Sequence, residues 1–166
     1  MTATLAGLPI LRVELVMPSS GIWTALVEAS GTVALSGRVV LDDDGIQFRG
    51  TVRTGGVYSG RVQAAITGGA GALSTPVDAK PYRAATAKAV ISDLLNGAGE
   101  TLSLDSDPAV LATLLPFWQR HQASAGLNLT RLTDVLDANW RVKRDGTVWI
   151  GRDSYPVQAL DHVRVE

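Results

Sequence analysis

The chain of 166 residues contains no cysteine. That excludes disulfides and thiolate metal sites, and no oxidising compartment is required. Aromatic residues are scarce at 5%, and charged residues reach 19% where roughly 25% is usual. There is no long apolar run. The stretch from Leu5 to Met17 is broken by Arg12 and Glu14, lacks a basic leader region and is too short to cross a bilayer, so the start reads as mature protein with no membrane span. A net charge of −1 gives no chain-wide basic field, and no specific nucleic-acid binding is expected. What is plentiful is apolar, at 46% of residues. A small domain has much surface to cover, and with so few charges part of that surface is expected to be buried against partners.

The first 80 residues read as β. Leu11, Val13 and Leu15 alternate with Arg12 and Glu14, the pattern of a half-buried strand. After the turn cluster Pro18-Ser19-Ser20-Gly21, a second run spans Ile22 to Ala29 with Trp23 as its anchor, and a third spans Thr32 to Leu41. Asp42-Asp43-Asp44-Gly45 predicts a hairpin turn, because Asp and Gly tolerate positive φ. Ile46, Phe48 and Val52 lead a fourth strand, Gly55-Gly56 predicts a turn, and Val57 to Ile66 forms a fifth with Gly60 as a bulge. Gly68-Gly69-Ala70-Gly71 reads as a flexible loop. Five short strands with turns between them suggest a small barrel or sandwich.

The pattern changes near Pro81-Tyr82. Ala87, Val90, Ile91, Leu94 and Leu95 fall on one helical face, with Gly97 or Gly99 as the stop. Thr101 to Leu104 reads as a short strand. Asp107-Pro108 is a helix start, and that helix is expected to run to about Leu115, where Pro116 interrupts it. Leu129, Leu132, Val135 and Leu136 mark a third helix. Trp140 to Lys143 and Val148 to Ile150 flank Arg144-Asp145-Gly146-Thr147, which predicts a terminal hairpin with Trp140 and Val142 on one face. Tyr155-Pro156 ends it, and Val163 and Val165 suggest an edge strand. The fold class is therefore α+β: a small antiparallel β-barrel or sandwich with two to three short helices and a C-terminal β-hairpin. Residues 1–80 form the barrel-like region, and residues 81–166 a helical segment plus hairpin sharing one core with it.

Residue clusters that run reactions are missing. Counting from Asp42, position twelve of a calcium loop is Arg53 and not Glu, so the acidic run reads as a solvated turn. The glycine run lacks a following Gly-Lys-Ser/Thr. His121 and His162 lie far apart, no serine sits in a nucleophile elbow, and the sequon at Asn128 has no secretory signal beside it. No metal or cofactor is expected. Glu14, Glu28 and Glu100 are the carboxylates open to a glycosidase reading, since their spacing is set only in three dimensions. Trp is enriched at interface hot spots, which makes Trp23, Trp118 and Trp149 candidate interface residues, while Trp140 reads as core and Trp149 suits either side of its hairpin.

The order of these segments carries a resemblance. A small barrel is followed by Tyr82-Arg83-Ala84 and a helix ending Leu94-Leu95-Asn96-Gly97-Ala98-Gly99, then by an amphipathic helix, then by Trp140-Arg141-Val142-Lys143-Arg144-Asp145-Gly146-Thr147-Val148-Trp149-Ile150. This resembles the hub proteins at the tip of phage tails and related injection machines, over roughly residues 46 to 155. The resemblance implies a structural, non-enzymatic subunit of a tail tip or baseplate hub. It would form a ring joining the tail tube to the spike or fibre, be assembled in the host cytoplasm and reside in the virion. The implied partners are copies of itself, as a trimer or hexamer ring, and other tail proteins: the tube, the spike or fibre, or a second hub chain. Hubs in that family are usually longer, with two barrel domains. One barrel fits here, so the chain is expected to be part of a split hub or a smaller relative. The alternative is a cell-wall hydrolase, or a glycan- or receptor-binding module of the same machine.

Overall fold

A computed structural model describes residues 3–153, and the strand expected around Val163 and Val165 lies outside them. Six strands come first: β1 (Thr4–Leu5), β2 (Leu8–Val16), β3 (Thr24–Ser30), β4 (Gly37–Asp43), β5 (Ile46–Tyr58) and β6 (Arg61–Gly68). They close an antiparallel barrel in the order β1-β2-β3-β6-β5-β4, with the two-residue β1 pairing both β2 and β4. Between barrel and sandwich, the structure selects the barrel.

Local sequence sets its corners. Ala6-Gly7, Asp44-Gly45 and Ser59-Gly60 each place two successive residues at positive φ, the geometry of the tight turns that match strand twist. Only the second was expected. Gly55-Gly56 is not a turn but lies within β5, and Gly60 is a turn residue, not a bulge. The bulge falls between Val52 and Thr54. Gly55 is needed for closeness, since a Cβ there would lie 2.7 Å from the Leu35 carbonyl. The third strand also starts later than Thr32, at Gly37 with its φ of +72°.

Inside the barrel, Ala25, Val27 and Ala29 of β3 face Val62, Ala64 and Ile66 of β6, and all are buried. Trp23 fills one end. Its ring lies where side chains at Gly50 and Gly68 would be: a Cβ on Gly68 would stand 2.5 Å from the indole nitrogen.

A cap follows, made of β7 (Pro76–Val77), β8 (Lys80–Thr86), α1 (Ala87–Gly97), α2 (Pro108–Leu111), β9 (Leu114–Arg120), β10 (Ala123–Ser124), α3 (Ala125–Val135), β11 (Asn139–Val142) and β12 (Val148–Gly151). Helix α1 buries the five expected residues and is capped by the Thr86 hydroxyl; of the two candidate stops, Gly99 takes positive φ. Asp107 caps α2, but that helix ends at Leu111. Leu114–Arg120 is instead a strand paired with β8, and neither strand was expected. Pro116 interrupts no helix: it sits in a two-stranded ribbon, where a missing N–H is tolerated at an edge. In α3 the buried face is Ala125, Asn128, Leu129, Leu132 and Thr133. Val135, expected on that face, is exposed. The predicted strand at Thr101 to Leu104 reduces to one bridge, Leu102 to Val148.

Barrel and cap share one cluster of buried residues, reaching from Leu5 to Ile150. They are also stitched through the backbone. Gly21 N donates to Trp140 O at 2.8 Å, Val142 N to Gly21 O at 2.9 Å and Arg49 N to Arg144 O at 2.7 Å.

Candidate assembly surface

The strands β2-β3-β6-β5 make a four-stranded sheet whose two outer strands run past their partners. Beyond Ile10, β2 pairs only with β3, because β1 reaches only Leu8 and Pro9. Beyond Val52, β5 pairs only with β6. Each therefore carries an unpaired row of backbone donors and acceptors among the described residues. Register adds a second anomaly. Val13 opposes Val27 and Val57 opposes Val62, positions on the inner face, yet Val13 is 40% and Val57 42% exposed. The partners across the ladder are buried. Apolar side chains turned inward but open to solvent mark a place where the layer is incomplete. Leu11, Val16 and Met17 extend the exposed apolar strip of β2.

On the outer face of the same sheet lies a shallow groove of about 560 Å³. Its floor is Leu26 and Ala65, with Gly56 and Tyr58 on one wall and Arg12 and Glu14 on the other. Glu28 also lines it, paired to Arg61 at 2.5 Å. The structure thus brings two of the three singled-out glutamates together, but Glu28 is already engaged. Glu100 is elsewhere and buried, accepting from Ala70 N at 2.9 Å and Ala72 N at 3.1 Å. Of the three glutamates, Glu28 and Glu100 are thus already engaged by an ion pair or by backbone amides.

Glu100 also corrects the reading of Gly68–Gly71 as a flexible loop. The loop is pinned: Glu100 holds the amide of Ala70 within it and that of Ala72 just after it, and Arg53 Nη1 donates to Gly71 O at 2.7 Å. The acidic turn behaves as expected, with Asp42 accepting from Gly45 N at 2.9 Å. Asn128 is wholly buried, its amide bonded to the backbone of His121, Ala123 and Ser124, so this residue staples the turn before α3.

Of the three tryptophans singled out, Trp23 and Trp118 lie in the chain's own core. Trp23 Nε1 donates to Lys143 O at 3.3 Å, joining barrel to hairpin. Trp118 packs against Tyr82, ring centroids 5.8 Å apart. Trp149 is half-buried on the outer side of its hairpin, with the Arg141 guanidinium 4.0 Å from its ring centre.

Sequence reasoning missed the charged clamp beneath Trp118. Asp93 of α1 accepts from the Tyr82 hydroxyl, from Lys80 Nζ at 2.9 Å and from Arg120 Nη1 at 3.0 Å, tying the β8–β9 ribbon to the helix. The Tyr82 hydrogen bond, aided by Lys80 and Arg120, holds the Asp93 carboxyl below the usual carboxylate range against the opposing push of partial burial. Burial and the same hydrogen bond push the Tyr82 phenol far up. No spacing rule links 80, 82, 93 and 120; only the unexpected ribbon brings them together.

No family model matches the sequence, and no curated protein matches it. Solved structures do match by fold. The 43 kDa tail protein of prophage MuSo2 from Shewanella oneidensis is similar at a TM-score of 0.71 and 12% identity, covering 92% of this chain and 54% of that one. A tail protein from Neisseria meningitidis MC58 is similar at 0.66 and 16% identity, covering 94% and 52%. The chain spans about half the length of each, and over that half its fold is that of these tail proteins.

Proposed function

We propose that the chain is a structural subunit of a phage tail. It forms a ring at the tail tip that joins the tube to the spike or fibre, as a trimer, a hexamer or with a second hub chain. The observation that carries this reading is the pair of free edges with Val13 and Val57 turned inward and exposed. The four strands alternate in direction, so β2 and β5 run oppositely. Copies placed side by side in one orientation then meet as β5 against β2, again antiparallel, and the sheet continues from copy to copy. Such a contact is head-to-tail, and it closes into a ring where the rotation per copy allows. Each edge gains backbone hydrogen bonds, and the two valines lose their solvent. The fold likeness to two tail proteins supports the setting.

The test is native mass measurement of the purified chain beside Val13→Lys and Val57→Lys. A discrete oligomer that falls to monomer in either variant, with an unchanged circular dichroism spectrum, is the expected result. A monodisperse monomer at high concentration that captures no tail protein overturns the proposal.

A further inference from the structure

The free backbone groups on the two edges follow residue by residue from the ladders. β5 and β6 are joined by the two-residue turn Ser59-Gly60, so Tyr58 and Arg61, which close it, exchange both backbone hydrogen bonds. Alternation then turns Thr54, Gly56 and Tyr58 toward β6 and leaves Gly55 and Val57 with N–H and C=O pointing away from it. Carried across β6 and β3, the same alternation turns Arg12, Glu14 and Val16 toward β3 and leaves Val13 and Leu15 free. Two bonds near the strand ends agree. Gly68 N donates to Trp23 O, on the β3 side of β6, and Ile10 N donates to Ala3 O, away from β3. On both edges the unpaired groups thus belong to inward-facing positions. Joining the edges with one residue of slip would turn side chains to the wrong face, so registers differ only in steps of two.

The bulges decide among them. β2 keeps unbroken register from Arg12 to Val16, and β5 from Thr54 to Tyr58. A step one way sets Val57 against Leu11, inside the bulge between Ile10 and Arg12. A step the other way sets Gly55 against Met17, past the end of β2. We infer that β5 of one copy meets β2 of the next with Val57 opposite Val13 and Gly55 opposite Leu15, the register that pairs both unbroken stretches along their whole length. The inference rests on the edge reading above and fixes its register. On the outer face the same register brings Tyr58 opposite Arg12. Tyr58 is exposed, and Arg12 has no ion-pair partner among the described residues, so the guanidinium is free to lie against the phenol ring. Glu14 falls opposite Gly56, which has no side chain to cover it, so its carboxylate keeps its water and is not buried unpaired.

The absence of cysteine makes a clean test. Gly56 accepts a side chain, since an added Cβ meets nothing within 4 Å. Within one chain Gly56 and Glu14 stand three strand spacings apart, about 14 Å, too far for a disulfide, so a bond between them joins two copies. Mild oxidation of Gly56→Cys/Glu14→Cys is expected to give covalent oligomers. The yield should be about tenfold or more above that of Gly56→Cys/Arg12→Cys or Gly56→Cys/Val16→Cys, the pairs of the two displaced registers. Arg12→Ala and Tyr58→Ala are each expected to weaken association in sedimentation by about two- to fivefold, and the double variant no more than either alone. Losses that add in full overturn the inference. So does bonding chiefly in a displaced pair, or in none of the three, while the chain still forms oligomers that Val13→Lys dissolves; either result leaves the edge reading standing. A chain that stays monomeric and bonds in no pair overturns both.

Discussion

Glu100 and Asp93 are two acidic residues that hold barrel and cap in shape, by different means. Glu100 is buried with two loop amides as its partners, so Glu100→Ala leaves those amides bare and is expected to cost about 1–3 kcal/mol, read by chemical denaturation. Gly69→Ala should act at the same place, because its Cβ would come 2.7 Å from Glu100 Oε2 at a φ of +75°. Asp93 acts through charge. Its folded carboxyl is held below the ordinary value, so its stabilisation is present above the unfolded pKa of about 3.9 and lost as pH falls through the folded one. Asp93→Asn should therefore lower the melting temperature at neutral pH, and the gap to the parent chain should close on acidification below about pH 4. Neither role was visible in the sequence. Glu100 was noted only as a carboxylate, and Asp93 lies on the polar face of an otherwise apolar-striped helix, where charge is the default. The tryptophans were legible as anchors, but the side each faces depends on tertiary neighbours.

At the scale of elements, legibility tracked locality. The two Asp-Gly turns, the apolar stripe of α1, the Asp107-Pro108 start and the Trp140–Val142 face were readable because each is set by neighbours within a few residues. The β8–β9 ribbon was not, since its strands lie 27 residues or more apart and Pro116 argued for a break. Thr4–Leu5 was too short to register as a strand, yet it closes the barrel. The open edges are the least legible feature of all, because an edge is defined by which pairs are missing. They also carry the most exposed consequence. The backbone of Gln63 and Arg61 in β6 is paired on both sides, by β5 and β3, so Gln63→Lys should leave the edge pairing and the ring mass unchanged, in contrast to Val57→Lys on the neighbouring free edge. Native mass spectrometry of the two variants makes the comparison.

Among the described residues a single apolar cluster crosses from barrel to cap and the backbone stitches at Gly21 and Arg49 reinforce it, so the two are expected to unfold as one unit. Denaturant unfolding followed by tryptophan fluorescence and by far-ultraviolet circular dichroism should give coincident curves. Trp23→Ala should shift both together by about 3–5 kcal/mol, since it empties the end of the barrel and removes the bond to Lys143. Two transitions in the parent chain would instead mean that barrel and cap melt separately. The β8–β9 ribbon adds one more consequence. This ribbon is only two strands wide, but Pro81 and Pro116 sit in it, each withholding a donor, whereas β2 from Ile10 onward has no proline. Under the edge pairing proposed above, the sheet therefore admits one neighbour on each flank and the ribbon offers no third strand edge, so growth through strand pairing is expected to end in closed particles of fixed stoichiometry and not in branching, insoluble polymer.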